Sequence, residues 1–161
     1  MVRIGHGMDV HRFLHGRPLV LGGRQIPSER GLEGHSDADV LLHAVIDAIL
    51  GALALRDIGQ WFPDSDPRWR GSDSGMLLRR VLESPACAQW HIVNVDTTVV
   101  IQSPKLSPYI DDMIANVAGL LQTTEQSVSI KATTSEGLGF TGRGEGVAAY
   151  AVILLDRKGS A

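Results

Sequence analysis

Asp9 and His11 stand two residues apart in Val2–Phe13, a segment that is predicted to be a strand. Because side chains of a strand alternate between its two faces, the carboxylate and the imidazole leave the same face, while His6 points to the other. A carboxylate and an imidazole on one face are suitable ligands for a divalent metal, but this spacing alone is a weak motif.

His43 supplies the third ligand of the predicted site. It lies in the first predicted helix, about residues 37–55, where Asp39, His43 and Asp47 form a polar stripe at intervals of four on an otherwise apolar helix. Two imidazoles and one carboxylate make a zinc site with a position open for substrate or water. Asp47 or Asp39 could accept the other ring N–H of His43 and fix its tautomer. The alternative is a hydrogen-bonded polar network that faces solvent.

Two further segments place polar groups at the ends of predicted strands, Ser103–Lys105 and Lys131–Glu136. Hydroxyl and backbone N–H groups suit phosphate oxygens. A carboxylate, Glu136, is unexpected at a pure anion site, but it has a role if it holds a Mg²⁺ that bridges phosphates. The alternative is an ordinary polar strand end with an exposed glutamate.

Two loops allow both a structural and a functional interpretation. Gly139–Gly146 holds four glycines around Arg143 and is either a tight turn or an anion contact; it lacks the lysine and following hydroxyl of a P-loop. Asp57, Asp64 and Asp66 are either turn residues or hydrogen-bonding partners of a sugar or polyol. Spacing does not decide between these interpretations.

The predicted order of elements is strand, hairpin, helix, helix, strand, helix, strand, strand. This order indicates an α/β (α+β) fold, a mixed four-stranded sheet with helices on one face, in one domain over residues 1–161. The last predicted strand, residues 147–155, is apolar at almost every position. Such a strand requires burial on both faces, so we expect subunits to associate through their sheets.

Composition narrows the function classes. The 161 residues carry a formal net charge of −3, which argues against a nucleic-acid binder, and 43% are hydrophobic, which argues against disorder. An anionic ligand would therefore need local attraction. The single cysteine, Cys87, is interpreted as a packing residue. No apolar run reaches membrane-spanning length and the N-terminus lacks a signal-peptide core, so we expect no membrane partner and a cytoplasmic location.

Taken together, these segments resemble the 2-C-methyl-D-erythritol 2,4-cyclodiphosphate synthase family over nearly the whole chain and in the family's order. The matching segments are RIGHGMDVHRF at 3–13, GHSDADVLLHAVIDAILGALALRDIG at 34–59, FPDSDP at 62–67, NVDTTVV at 94–100, SPKL at 103–106 and KATTSEGLGFTGRGEG at 131–146. The chain departs from the family pattern at Met8, Ser135 and Gly137, none of which is a proposed metal ligand.

The resemblance implies a lyase of non-mevalonate isoprenoid precursor biosynthesis. Its substrate would be 4-diphosphocytidyl-2-C-methyl-D-erythritol 2-phosphate, and its products the 2,4-cyclodiphosphate and CMP. The family forms homotrimers with active sites between subunits, which agrees with the apolar last strand. Zinc phosphohydrolysis, or non-catalytic binding of an isoprenoid diphosphate, are the rival interpretations.

The resemblance also implies a role for each matching residue. Asp9, His11 and His43 would hold Zn²⁺ or another divalent metal, and Mg²⁺ or Mn²⁺ would lie near Glu136. His35 and Thr134 would stabilise the transition state. An isoprenoid diphosphate would occupy an axial cavity near Arg143 and Glu145. The residues implied to contact substrate are Asp9, His11, His35, Ser36, Asp57, Ile58, Gly59, Phe62, Pro63, Asp64, Ser65, Asp66, Ser103, Pro104, Lys105, Leu106, Ala132, Thr133, Thr134, Ser135, Glu136, Phe140 and Arg143.

Overall fold

The computed structural model describes residues 1–159. These residues contain seven strands and five α-helices, joined by turns and loops. Short 3₁₀ turns precede α3, α4 and β6. The strands are β1 (Val2–His15), β2 (Leu19–Leu21), β3 (Arg24–Ile26), β4 (Arg30–Leu32), β5 (Trp90–Val100), β6 (Val128–Thr133) and β7 (Gly146–Arg157). The helices are α1 (Val40–Ala52), α2 (Ile58–Trp61), α3 (Ser74–Leu82), α4 (Ile110–Leu121) and α5 (Gly139–Gly142).

The main sheet is mixed and has five strands in the order β4-β1-β7-β5-β6, while β2 and β3 form a separate hairpin. Only β5 and β6 run parallel among its neighbouring pairs within residues 1–159. The predicted mixed α/β class is confirmed, but the predicted number of four strands is wrong. The fifth strand is β4, which pairs Leu32 with Phe13 near the end of β1. Three residues that include Gly31 are too few to show an alternating pattern, so the predicted order of elements lacks this strand.

Helix α1 lies at the centre of the core and is shorter than the predicted span of residues 37–55. The carboxylate of Asp39 accepts the N–H of Leu42 and caps its first turn. At the other end, Ala54 and Arg56 adopt positive φ angles of 57° and 71°, which are incompatible with helix. All residues of α1 except Asp47 and Gly51 are buried, so burial stabilises this helix more than its caps do.

The sheet face opposite the buried core exposes apolar side chains in an alternating pattern. Ile4 and Met8 of β1 are 72% and 48% exposed, and Tyr150 and Val152 of β7 are 39% and 40% exposed. The intervening residues of β7, such as Ala151, are buried in the core. The sequence predicted that β7 would be buried on both faces. Within one chain, only the face that carries residues such as Ala151 is buried. Association through this face stays a prediction.

The outer helices have identifiable starting signals. Asp73 accepts the N–H of Met76 and caps α3, which begins at Ser74. Ser107 and Pro108, a residue pair typical of a helix start, instead begin a 3₁₀ turn, Ser107–Tyr109, and α4 follows it. None of the helices within residues 1–159 is long and apolar enough to cross a membrane.

Candidate metal centre and substrate cavity

The side chains of Asp9, His11 and His43 converge as the sequence predicts. The Asp9 Oδ2 atom is 2.9 Å from His11 Nε2 and 3.0 Å from His43 Nδ1, and the two ring nitrogens are 3.2 Å apart. Ligand atoms arranged tetrahedrally around zinc at its usual bond lengths are separated by about 3.3 Å. The three donor atoms therefore fit one divalent cation, with a fourth position left for a substrate oxygen.

Close packing of α1 on β1 brings His43 to the strand that carries the other two ligands. A Cβ atom on Gly5 would lie 1.8 Å from the carbonyl oxygen of Ala48, and a Cβ on Gly7 would lie 1.9 Å from that of Ala44. Only glycine permits this approach of helix backbone to strand. The two glycines that the sequence shows in β1 thus set the depth at which His43 sits.

His11 is oriented by the segment that follows β4. Its Nδ1–H group donates to the backbone carbonyl of Glu33 at 2.6 Å, which leaves the Nε2 lone pair pointing at Asp9 and His43. A Cβ on Gly34 would lie 3.1 Å from the His11 ring, so the chain passes the imidazole closely. A backbone carbonyl behind a ligating histidine is a common way to fix its tautomer.

His43 is oriented by serine hydroxyls. Its Nε2 atom lies 2.9 Å from Ser74 Oγ and 3.1 Å from Ser36 Oγ. The prediction that Asp39 or Asp47 would accept this ring N–H is contradicted by these contacts.

Both carboxylates of the polar stripe have other partners. Asp39 accepts the backbone N–H groups of Gly22, Gly23 and Leu42, and Asp47 accepts that of Ile58. Each carboxylate therefore holds a neighbouring loop against α1. Spacing at intervals of four correctly predicts that these residues share a helix face. It does not predict that their carboxylates accept hydrogen bonds from loop N–H groups and not from the His43 ring.

The electrostatics of the metal centre favour an ionised carboxylate. Burial by itself would raise the pKa of Asp9, but hydrogen bonds and attraction from His11 and His43 outweigh it and hold the pKa well below its ordinary value. Burial would lower the pKa of His11, but its hydrogen bond to Asp9 and the Asp9 charge raise it. Burial also raises the pKa of Asp39 to about 6 and raises that of Asp47. Asp9 is thus ready to bind a cation.

A cavity of about 480 Å³ opens beside the three ligands. Its wall combines the metal centre with three groups that the sequence predicted separately: His35 and Ser36, residues 57–59, and residues 62–64. The Nε2 atom of His35 is buried and has no hydrogen-bond partner among residues 1–159. A buried ring nitrogen without a partner is costly, so it is available to a ligand in the cavity.

A second cavity of about 280 Å³ lies where β5 and β6 end. It is lined by Pro104–Ser107 and Ala132–Thr134, together with Ile101, Gln102 and Ile110. The structure thus brings together the two strand-end segments that the sequence predicted to contact the phosphates of a substrate. Both cavities lie at the same end of the sheet, since His11 pairs with Val147 and Val100 pairs with Ala148. Strands β7 and β5 lie between β1 and β6, so β1 and β6 are about 14 Å apart. The two cavities of a single chain are therefore separate.

Several predicted site residues lie outside both cavities. Ser103 is exposed and is joined to Pro104 by a cis peptide bond. The hydroxyl of Thr134 donates to Glu136 Oε1 at 3.0 Å, and the hydroxyl of Ser135 donates to the carbonyl oxygen of Leu138 at 2.7 Å. Glu136 is exposed. Its carboxylate accepts a hydrogen bond from Thr134, which lines the second cavity, so it lies at the edge of that cavity and within reach of a cation bound there.

The remaining predictions fall on exposed loops. Phe140 is 39% exposed, and Arg143 Nε donates to Glu145 Oε1 at 2.6 Å. Ser65 is exposed. The Asp66 carboxylate accepts hydrogen bonds from the guanidinium group and the backbone N–H of Arg68. Within residues 1–159 these side chains do not converge with the metal centre.

Sequence reasoning missed several residues of the site, among them Gly34, which also lines the first cavity. Gln60, Trp69 and Leu77 line the first cavity, and Ser74 contacts His43. Trp69 packs edge-on against Phe62, with ring centroids 5.0 Å apart, and so supports the wall of the cavity. Ser74 stands immediately after the helix cap Asp73, so the sequence marked it as the first residue of a helix and carried no signal of a ligand contact.

Comparison with known proteins agrees with this geometry. The sequence profile of the YgbB family matches residues 2–156. The 2-C-methyl-D-erythritol 2,4-cyclodiphosphate synthase of Geobacter sulfurreducens is 57% identical over 157 residues, covering 98% of this chain and 100% of the relative. A solved structure of 2C-methyl-D-erythritol-2,4-cyclodiphosphate synthase superposes with a TM-score of 0.88 at 41% identity, covering 96% of this chain and 100% of that one.

A solved structure of the synthase in its CDP-bound form superposes with a TM-score of 0.87 at 39% identity, again covering 96% of this chain and 100% of that one. These relatives do not favour a zinc phosphohydrolase or a non-catalytic binding protein. The chain belongs to the YgbB family, the family of these 2-C-methyl-D-erythritol 2,4-cyclodiphosphate synthases.

Proposed function

We propose that the chain, as one domain over residues 1–161, converts 4-diphosphocytidyl-2-C-methyl-D-erythritol 2-phosphate to 2-C-methyl-D-erythritol 2,4-cyclodiphosphate and CMP. It is a phosphorus–oxygen lyase of isoprenoid precursor biosynthesis. The observation that carries the proposal is the three-ligand cluster of Asp9, His11 and His43 beside the cavity that His35 lines. Full-length similarity to synthases at 57% identity supports it.

The reaction is an intramolecular phosphoryl transfer. An oxygen of the 2-phosphate attacks the β-phosphorus, the bond from that phosphorus to the oxygen bridging the two phosphates breaks, and CMP leaves with the electron pair. Because both reacting groups belong to one molecule, the protein contributes mainly by positioning them and by stabilising negative charge. No nucleophilic side chain is required.

The metal centre provides the charge stabilisation. Asp9 Oδ2, His11 Nε2 and His43 Nδ1 would hold Zn²⁺ or another divalent cation, which when bound polarises phosphate oxygens as a Lewis acid. Glu136 would hold Mg²⁺ or Mn²⁺ near the diphosphate. A protein with a net charge of −3 can thereby bind a highly anionic substrate.

The remaining residues of the first cavity orient the substrate. His35 and Ser36 bind the 2-phosphate end, and the buried, unpartnered Nε2 atom of His35 supplies one donor to the phosphate. His35 and Thr134 stabilise the transition state. Residues 57–59 and 62–66 hold the erythritol part, with Phe62 and Trp69 excluding water from one wall.

The second cavity binds the cytidine diphosphate part. Residues 104–106 and 132–134 line it, the adjoining Ser103, Ser135 and Glu136 would contact the ligand at its edge, and the CDP-bound relative supports a nucleotide ligand. One chain keeps the two cavities apart, whereas a homotrimer packed through the exposed sheet face would bring one chain's metal centre to a neighbour's nucleotide cavity. Phe140 and Arg143 would contact ligand at the same interface, and Arg143 with Glu145 would face an axial cavity for an isoprenoid diphosphate.

The test is ³¹P NMR of the purified protein with zinc, Mg²⁺ and the cytidylyl-diphosphate erythritol 2-phosphate. Coupled cyclic-diphosphate resonances that appear together with CMP are expected. Release of orthophosphate would contradict the proposal in favour of a hydrolase. No turnover by zinc-loaded protein would contradict it in favour of a binding protein.

A further inference from the structure

A chain of three buried or half-buried side chains leads away from the metal centre. His43 Nε2 lies 2.9 Å from Ser74 Oγ, and the Ser74 hydroxyl in turn contacts Asp37 Oδ1. We infer that Ser74, held by Asp37, is a positioning residue that sets the tautomer of His43 and thereby presents its Nδ1 atom to the metal. This inference rests on the metal centre of the proposed function.

The direction of the hydrogen bonds follows from the donor count. A carboxylate only accepts, so the single hydroxyl hydrogen of Ser74 is directed at Asp37. Asp37 also accepts the backbone N–H of Ser74 at 2.9 Å, which fixes the carboxylate in place. Ser74 Oγ therefore offers a lone pair to His43 Nε2. That nitrogen must carry the ring hydrogen, and Nδ1 keeps its lone pair for a cation.

Ser36 is compatible with the same tautomer. Its Oγ atom lies 3.1 Å from His43 Nε2 and already accepts the backbone N–H of Ala38. As a second acceptor it reinforces the ring N–H, although its longer contact makes it the weaker partner. If His43 Nε2 carried no hydrogen, its lone pair would face that of Ser74 at 2.9 Å, a repulsive arrangement.

Burial makes this arrangement well determined. Ser74 is fully buried and His43 is 7% exposed, so water does not substitute for a lost partner. A buried polar group that is left without a partner lowers stability, so the arrangement is maintained. Groups that orient a ligating histidine typically contribute about 10–100-fold to metal affinity.

The same contacts connect the metal ligand to the substrate loop. Asp37 N–H donates to the carbonyl oxygen of Ser72 at 3.0 Å, and Gly71 N–H donates to that of His35 at 2.7 Å. The segment that carries His35 is thus joined to the start of α3, which orients His43. Ser74 therefore couples the position of the phosphate-binding loop to that of the metal ligand.

The first test compares zinc affinity, measured by competition with a chromogenic chelator, in wild type, Ser74→Ala and Ser84→Ala. Ser84 bonds the carbonyl oxygen of Val81 at the other end of α3 and is the matched control for loss of a hydroxyl. We expect the Ser74→Ala variant to bind zinc about 10–100-fold more weakly and the control to bind like wild type. Equal affinity in all three proteins would overturn the inference but leave the metal centre intact. Absence of zinc binding by wild type would overturn the metal centre itself and the inference with it.

A second test needs no variant and stands even if Ser74→Ala fails to fold. Long-range ¹H–¹⁵N NMR of the zinc-loaded wild type reports which ring nitrogen of each histidine carries hydrogen. We expect His43 with hydrogen on Nε2 and metal on Nδ1. The opposite assignment would overturn the inference, because a merely structural hydrogen bond of Ser74 has no need of this tautomer.

Discussion

Gly7 of β1 faces the carbonyl oxygen of Ala44 in α1 so closely that a Cβ atom on the glycine would lie 1.9 Å from it. Ala44 is the residue next to the proposed metal ligand His43, and Gly7 precedes the proposed ligand Asp9 by two positions. The spacing between strand and helix therefore also sets the spacing between the two metal ligands. Any side chain at Gly7 must move the backbone of one element, since neither carbonyl nor strand can rotate away.

The variant Gly7→Ala is expected to lower the free energy of unfolding by about 3 kcal/mol or more and to weaken zinc binding, because α1 must shift away from β1. Denaturant unfolding and chelator competition measure the two effects. Gly51→Ala is the control within the same helix, since its Cβ would lie 3.7 Å from its nearest neighbour, an ordinary contact. That variant should be as stable as wild type or more stable by up to about 1 kcal/mol. Similar losses in both variants would contradict the packing argument.

Replacement of the helical ligand tests the metal centre directly. His43→Ala is expected to weaken zinc binding by more than the about 10–100-fold typical of an orienting group, because it removes one of three ligand atoms. Activity should be lost while the oligomeric state stays that of wild type, because His43 is buried in α1 and is not part of the exposed sheet face. Metal analysis and size-exclusion chromatography provide the readouts. His91→Ala, an exposed histidine of β5, is the control, and full zinc retention in His43→Ala would remove the ligand set.

Glu136 is expected to hold the second cation. In Glu136→Ala the Mg²⁺ concentration for half-maximal activity should rise about tenfold, since one carboxylate ligand contributes on the order of 1.4 kcal/mol to binding. A Mg²⁺ titration of the turnover rate at saturating zinc measures this. The control is Glu125→Ala, because Glu125 is an exposed residue at the start of the 3₁₀ turn that precedes β6. An unchanged Mg²⁺ response would exclude Glu136 as a ligand.

Asp39 predicts a pH dependence of stability. Burial raises its pKa to about 6 in the folded chain from an ordinary value of 3.8, despite hydrogen bonds from Gly23 and Leu42. The folded state therefore binds the proton more tightly than the unfolded state. Its contribution to stability is fully present below about pH 4 and is lost as the pH rises through about 6, by about 3 kcal/mol.

The measurement for Asp39 is the free energy of unfolding of wild type minus that of Asp39→Asn, taken from pH 4 to pH 7. This difference is expected to fall over the interval and then to level off. Asp73→Asn controls for the loss of a capping carboxylate, because Asp73 caps α3 from an exposed position. A difference that is independent of pH would contradict the raised pKa of Asp39.

The exposed face of the sheet predicts the oligomeric state. Val152 lies in register between His6 of β1 and Asp96 of β5, and a charge placed there would be desolvated in an interface. We expect wild type to sediment as a trimer and Val152→Asp to dissociate and lose activity. Ala115→Asp, on the exposed side of α4, adds the same charge elsewhere and should remain trimeric. A monomeric wild type would contradict association through this face.

Much of the fold and of the site was predictable from local pattern. Period-two spacing placed Asp9 and His11 on one face of β1, and apolar residues around His43 marked a buried helix. Polar residues at a predicted strand end marked Thr134 as a site candidate, whereas Ser36 was implied only by the family resemblance and Asp57 was left open between a turn residue and a ligand contact. These features depend on residues close in sequence, where spacing determines geometry.

Tertiary structure decided the features that depend on contacts between distant residues. The fifth strand exists because β4 pairs with the end of β1, and its three residues carry no periodicity of their own. Asp39 and Asp47 hold loops instead of His43, and the imidazole is oriented by Ser74, which lies 31 positions further along the chain. The sequence shows which side chains can donate or accept a hydrogen bond, but tertiary packing determines which donor and acceptor lie within hydrogen-bond distance. That is why the convergence of Asp9, His11 and His43 was predictable while the contact of Ser74 with His43 was not.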